Sequence, residues 1–142
     1  MKNILIIVFF TVCAYSVQGQ VSSSKVKIEH TQILGEWKLT RYINSPKSPK
    51  KKVLTACDSI LPWSFSYDST SKKYLLTCQK TAECKDFGFE SDWTLSGNNI
   101  MIKRTKIMGF GGVSASGTFV ILELTEKRMV LEFQKNKYIF TR

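Results

Sequence analysis

From residue 35 to its end, this chain places Val, Ile, Leu, Phe, Tyr and Trp at alternate positions in short runs, separated by clusters rich in Asn, Gly, Ser, Asp and Lys. A period of two is the mark of strands with one face in a core and the other in water. After residue 32 no stretch of useful length shows the three-to-four spacing of an amphipathic helix. The pattern predicts eight strands, at 35–43, 62–67, 74–79, 92–95, 100–105, 118–124, 128–133 and 138–141. Tight polar connections join four of the pairs, so the order is that of an antiparallel meander.

Each hairpin centre fixes which residues oppose each other, and alternation then fixes their face. Around Ser69 to Lys72, Trp63 opposes Cys78, Phe65 opposes Leu76 and Tyr67 opposes Tyr74, all on one face. Around Ser96 to Asn99, Leu95 opposes Ile100 and Trp93 opposes Ile102. Around Thr125 to Arg128, Leu124 is expected opposite Met129, Leu122 opposite Leu131 and Val120 opposite Phe133. Around Gln134 to Lys137, Phe133 is expected opposite Tyr138 and Leu131 opposite Phe140. One apolar face per strand in a single meander predicts an all-β fold, an eight-stranded antiparallel up-and-down barrel.

The first twenty residues change the picture of where the chain works. Lys2, the apolar run from Ile4 to Val12 and the small, polar exit from Ser16 to Gln20 read as a secretory signal. The run is shorter than the ~20 apolar residues of a membrane span, and no later stretch approaches that length. Cys13 lacks the small residue expected before a lipidated cysteine, which argues against a lipoprotein. The expected layout is therefore a signal peptide at 1–20, a leader at 21–32 and one barrel domain at 33–142, about 122 residues after cleavage. The expected location is secreted or periplasmic, and the expected state is a monomer.

At Gly35-Glu36-Trp37 the first strand opens with Gly-x-Trp, after a short segment able to plug the barrel base, and Arg142 ends the last strand on the inward phase of Tyr138 and Phe140. Further marks are a cysteine before the second strand, another after the third, Asp92-Trp93-Thr94-Leu95-Ser96-Gly97 and the closing Tyr138-Ile139-Phe140. Over residues 32–142 the chain resembles the lipocalins, and in particular the small lipocalin-like domains exported by Bacteroidetes-type bacteria. The resemblance implies that Trp37 closes the barrel floor with Arg142 lying across it. The long helix that follows the barrel in eukaryotic lipocalins is absent from this sequence.

The mature segment keeps Cys57, Cys78 and Cys84, so at most one internal bridge forms. Extending the 63/78 register outward puts position 57 opposite 84. A Cys57–Cys84 bridge is thus expected, with Cys78 inward as a small hydrophobe. Zinc is the alternative, but no Cys-x-x-Cys or matching His spacing supports it.

Chemistry for catalysis is sparse. His30, the only histidine, falls in the leader with no nucleophile partner and is expected to be solvated. Gly109-Phe110-Gly111-Gly112 lacks the Lys and Ser/Thr of a phosphate loop and reads as an inter-strand loop. No nucleophile elbow, zinc-protease pair or carboxylate pair occurs, so the expectation is a non-enzyme without cofactor or metal.

In an up-and-down barrel the connections at 44–61, 80–91, 106–117 and 134–137 fall at one end, opposite Trp37, and lysines outnumber acids there. The net charge is +10, or +9 without Lys2, which favours acidic partners. Basic residues scattered through turns argue against nucleic acid. Inward positions Trp63, Phe65, Tyr67, Tyr74, Trp93, Phe133 and Tyr138, with Arg41 as a polar handle, would suit a small hydrophobic or anionic amphiphilic ligand held head-outward. Two functions follow: an exported lipocalin-like binding protein, or a non-enzymatic structural or interaction protein of the cell envelope whose barrel is filled. Interior volume separates them.

Overall fold

The computed structural model describes residues 27–47, 53–107 and 116–142, with the side chains of 104–107 not among them. The expected signal peptide, most of the leader, Lys50 to Lys52 and the Gly109 to Val113 loop lie outside the described residues.

Eight strands close into one antiparallel barrel in sequence order: β1 (Gly35–Ile43), β2 (Trp63–Asp68), β3 (Lys73–Cys78), β4 (Phe89–Ser96), β5 (Asn99–Ile107), β6 (Gly117–Leu124), β7 (Arg128–Phe133) and β8 (Asn136–Thr141). β8 pairs with β1, so no strand edge is left open. Two short helices close the ends: α1 (His30–Ile33) lies under the floor before β1, and α2 (Ala56–Ile60) lies in the long β1–β2 connection at the mouth. Among the described residues no helix is long and apolar enough to cross a membrane.

The β2–β3 register, and the β4–β5 register on the hairpin side of a shift between Glu90 and Ser91, agree with alternation: Phe65 faces Leu76, Tyr67 faces Tyr74, Trp93 faces Ile102 and Leu95 faces Ile100. Three other places depart from it. Between Leu39 and Arg41 the β1–β8 register slips by one residue, a bulge at Thr40, whose hydroxyl donates to the Ile139 carbonyl (3.1 Å). One extra residue flips everything beyond it to the opposite face. Arg41 is therefore exposed rather than inward, and Tyr42 turns in to meet Tyr138 edge-on at 4.8 Å.

A second bulge, between Ile121 and Glu123, does the same on β6. Phe119 and Ile121 point inward in place of the expected Val120 and Leu122, and Leu122 is exposed. Leu124 still faces Met129, because it lies on the hairpin side of the bulge. Thirdly, the β7–β8 turn is two residues long. Gln134 and Lys135 adopt positive φ (50° and 67°), and Phe133 faces Asn136, Leu131 faces Tyr138 and Met129 faces Phe140. Positive φ at both central residues is what a two-residue hairpin turn requires. Relative to the expected pairing this is a slip of two residues, which preserves the inward face.

α2 was absent from the hydrophobic pattern because a five-residue helix has no periodicity to read. Its signal is a capping box. The Thr55 amide (2.9 Å) and hydroxyl (2.8 Å) both donate to Asp58 Oδ2, while the Asp58 amide donates to Thr55 Oγ1 (3.2 Å).

Candidate functional site

The floor is built around Trp37, which is fully buried. Its indole N–H donates to the Ile33 carbonyl at the end of α1 (2.7 Å), and the Arg142 guanidinium lies 4.2 Å from its ring. Arg142 also donates to the carbonyls of Leu34 (2.8 Å), Gln32 (3.5 Å) and Glu126. It thereby ties the leader and the β6–β7 turn to the ring. Gly35 explains the glycine of Gly-x-Trp: its φ is +119°, and a Cβ there would stand 3.2 Å from Arg142 Nη1.

His30 is not solvated. It is half-buried beneath the floor, stacked on Tyr74 at 4.1 Å and 15° and tilted against Trp93 at 5.4 Å. An amphipathic ring on aromatic neighbours is a packing role, and no nucleophile is in contact with it in the described structure.

The eight candidate ligand residues fall into separate groups. Phe65, Tyr67, Tyr74 and Trp93 gather in the floor half, with Phe65 5.3 Å from Trp93 and the Trp93 indole N–H donating to the Leu75 carbonyl (3.1 Å). Tyr67 keeps ring contact with Tyr74 at 4.9 Å but is 48% exposed at the end of β2. Trp63, Phe133 and Tyr138 belong to the mouth half. Arg41 joins neither group, being on the outer surface.

Aromatic rings cross the lumen. Trp63 on β2 meets Phe119 on β6, the strand diametrically opposite, at 6.3 Å in edge-to-face geometry. The same ring touches Phe89 (5.4 Å) and Phe140 (5.0 Å), and Phe119 continues the cluster to Phe133 (4.7 Å, stacked) and Tyr138 (5.6 Å). All of these except Phe133 are buried. Gly117 makes room for Phe133: its φ is +137°, and a Cβ there would lie 2.5 Å from the Phe133 ring. Sequence reasoning missed Phe119, because the bulge that turns it inward is not visible in alternation.

α2 covers the mouth. Asp58 and Leu61 are buried, and the Cys57–Cys84 disulfide fastens the helix to the β3–β4 connection, with Cα atoms 5.7 Å apart. Cys78 is unpaired and buried. Burial, and secondarily the nearby Asp58 carboxylate, pushes its thiol up from 9.0 to about 11. Burial, then Tyr42, pushes the Tyr138 hydroxyl up as well. Ser91 Oγ, between inward-facing Phe89 and Trp93, is buried without a hydrogen-bond partner among the described residues. Among the described residues no cluster of His, Cys, Asp and Glu could hold a metal.

The raised thiol gives a testable linkage. Between pH 9 and about 11 the folded state retains a Cys78 proton that the unfolded state releases, so stability is greatest below that window and falls as pH rises through it. Chemical denaturation at pH 8 and pH 10 should show the loss, and Cys78→Ala should lessen it. At pH 8 a thiol-reactive dye should label Cys78 only in denaturant; equal labelling of the folded protein would contradict its burial.

A family model described as a lipocalin-like domain matches residues 33–131. The chain belongs to the lipocalin-like domain family. Its barrel is similar to the crystal structure of a lipocalin-like protein from Bacteroides uniformis (19% identity, 78% of this chain and 98% of that one, TM-score 0.53). An uncharacterized protein from Bacteroides eggerthii also matches (22% identity, 77% and 98% coverage, TM-score 0.49). No curated protein matches. In this lipocalin-like barrel the Trp37–Arg142 floor, the lumen-crossing cluster and the bridged α2 are the features on which function must be built.

Proposed function

We propose that this chain is an exported, non-enzymatic lipocalin-like protein of the cell envelope, whose barrel is filled by its own aromatic side chains and which works through the surface of its mouth. The observation that carries this is the contact of Trp63 with Phe119 across the full diameter of the barrel. A ligand lying along the axis would have to displace both rings, each with a large buried area. The handle expected for an anionic head group, Arg41, faces outward. Export to a secreted or periplasmic location is supported by the Cys57–Cys84 bridge, since such bonds persist in oxidising compartments.

A ligand-binding reading stays second. The family's barrel can hold a small apolar or amphiphilic molecule, and half-buried Tyr42, Leu54, Phe87 and Phe133 leave apolar surface around the mouth. Native mass spectrometry separates the two. The filled barrel should give the mass of the protein alone as a monomer, and tryptophan emission should not respond saturably to anionic or neutral amphiphiles below their micelle concentration. A retained small molecule at one-to-one stoichiometry would move function into the barrel. Weakening of such a complex by Arg41→Gln would restore Arg41 as its handle.

A further inference from the structure

The mouth end of the barrel carries two kinds of exposed residue on β1, on the β1–β2 connection and on the β7–β8 turn. Ile43 ends β1 on its outer face at 38% exposed, Val53 precedes α2 at 83%, and Ile60 projects from α2 at 53%. These are large apolar side chains in water, on a connection that the Cys57–Cys84 bridge and the packing of Leu54 and Leu61 hold against the barrel. The same end of the barrel carries cations. Arg41, turned outward by the bulge, shares the outer face of β1 with Ile43, and Lys137 is directly opposite Ile43 in register. The Ser45 amide donates to Asn136 Oδ1 (2.8 Å), which ties the start of the β1–β2 connection, carrying Lys47, to the β7–β8 turn, carrying Lys135. Glu132 faces Lys137 on the neighbouring strand. The ion pairs among the described residues join Lys27 to Glu29, Lys73 to Asp92 and Arg128 to Glu123, none of them on this rim.

We propose that this rim docks onto an anionic lipid bilayer surface, with Val53, Ile60 and Ile43 entering the interface and Arg41, Lys47 and Lys135 contacting lipid phosphates. Neither half of the surface suffices alone. Isolated lysines bind anionic surfaces weakly and in a salt-dependent way, and a few apolar side chains insert only shallowly. Together they are the two signals that peripheral attachment needs. The apolar residues decide for a bilayer over a water-borne polyanion, which would leave Val53 and Ile60 exposed. The inference rests on the mouth-surface reading, yet is tested separately, since retention of a ligand in the barrel and adhesion of the rim have different readouts.

Co-sedimentation of the purified protein with vesicles of phosphatidylcholine alone, and of phosphatidylcholine mixed with phosphatidylglycerol, tests it. Binding should need phosphatidylglycerol and fall steeply with added salt. Lys47→Glu with Lys135→Glu should weaken it by at least about thirtyfold at low salt. Val53→Ser with Ile60→Ser should weaken it severalfold at unchanged charge. Circular dichroism and an intact Cys57–Cys84 bridge would show that the variants keep the fold. No binding, equal binding to both vesicle types, or binding indifferent to either variant pair would overturn the proposal. So would competition by soluble polyglutamate that the Val53/Ile60 variant leaves unchanged, which would identify a reader of acidic polymers instead.

Discussion

Trp37→Ala should lower the unfolding free energy by about 3–5 kcal/mol, the range for truncating a fully buried large aromatic residue. The ring is fully buried, and three connections meet on it. Its N–H holds the Ile33 carbonyl, its face carries the Arg142 guanidinium, and its strand position pairs with Trp63 on β2. Removing it opens a cavity at the floor, leaves the Ile33 carbonyl without its donor and strands Arg142 above a void. Trp37→Phe keeps much of the volume but not the N–H, and should cost about 1–2 kcal/mol. Urea unfolding read by circular dichroism measures both. A loss below about 1 kcal/mol for the alanine variant would mean that the floor is not closed as described.

The second large effect belongs to the disulfide. Cys57 and Cys84 are 27 residues apart in sequence, and in the chain-entropy model closing such a loop stabilises by about 3.5 kcal/mol. Cys57→Ala with Cys84→Ala should lose about that much in urea unfolding. Because the bridge fastens α2 over the mouth, hydrogen exchange should quicken first between Val53 and Leu61, while amides of β7 and β8 stay protected. Peptide mapping without reductant should recover Cys57 joined to Cys84. A bridge containing Cys78 would contradict the inward register that places Cys78 beside Phe89 across β3 and β4.

Alternation alone determined the number of strands, their order and the registers of the two hairpins at Ser69–Lys72 and Ser96–Asn99. In those regions every constraint is local: two adjacent strands, a short turn and an apolar face. The Cys57–Cys84 bridge agrees with the pairing expected from extending the Ser69–Lys72 hairpin register outward, although Cys57 lies in α2 and Cys84 in the β3–β4 connection, beyond the paired residues of the two strands. The Trp37–Arg142 floor came instead from a family resemblance, although the shared inward phase of the two residues agrees with it.

What alternation could not reach is an inserted residue or a changed turn length, and these occur both at the closure of the barrel and within the β6–β7 and β7–β8 hairpins. The Thr40 bulge arises in the pairing of β1 with β8, the closure between the two ends of the barrel, and one inserted residue there moved Arg41 from the expected lumen to the outer rim. The Leu122 bulge exchanged Val120 and Leu122 for Phe119 and Ile121, and so delivered the ring that meets Trp63. Whether eight strands enclose a chamber or a packed core depends on which side chains extend across the diameter. That is decided by contacts between β2 and β6, which no local pairing rule connects, and so only the tertiary structure could tell that this lumen is crossed.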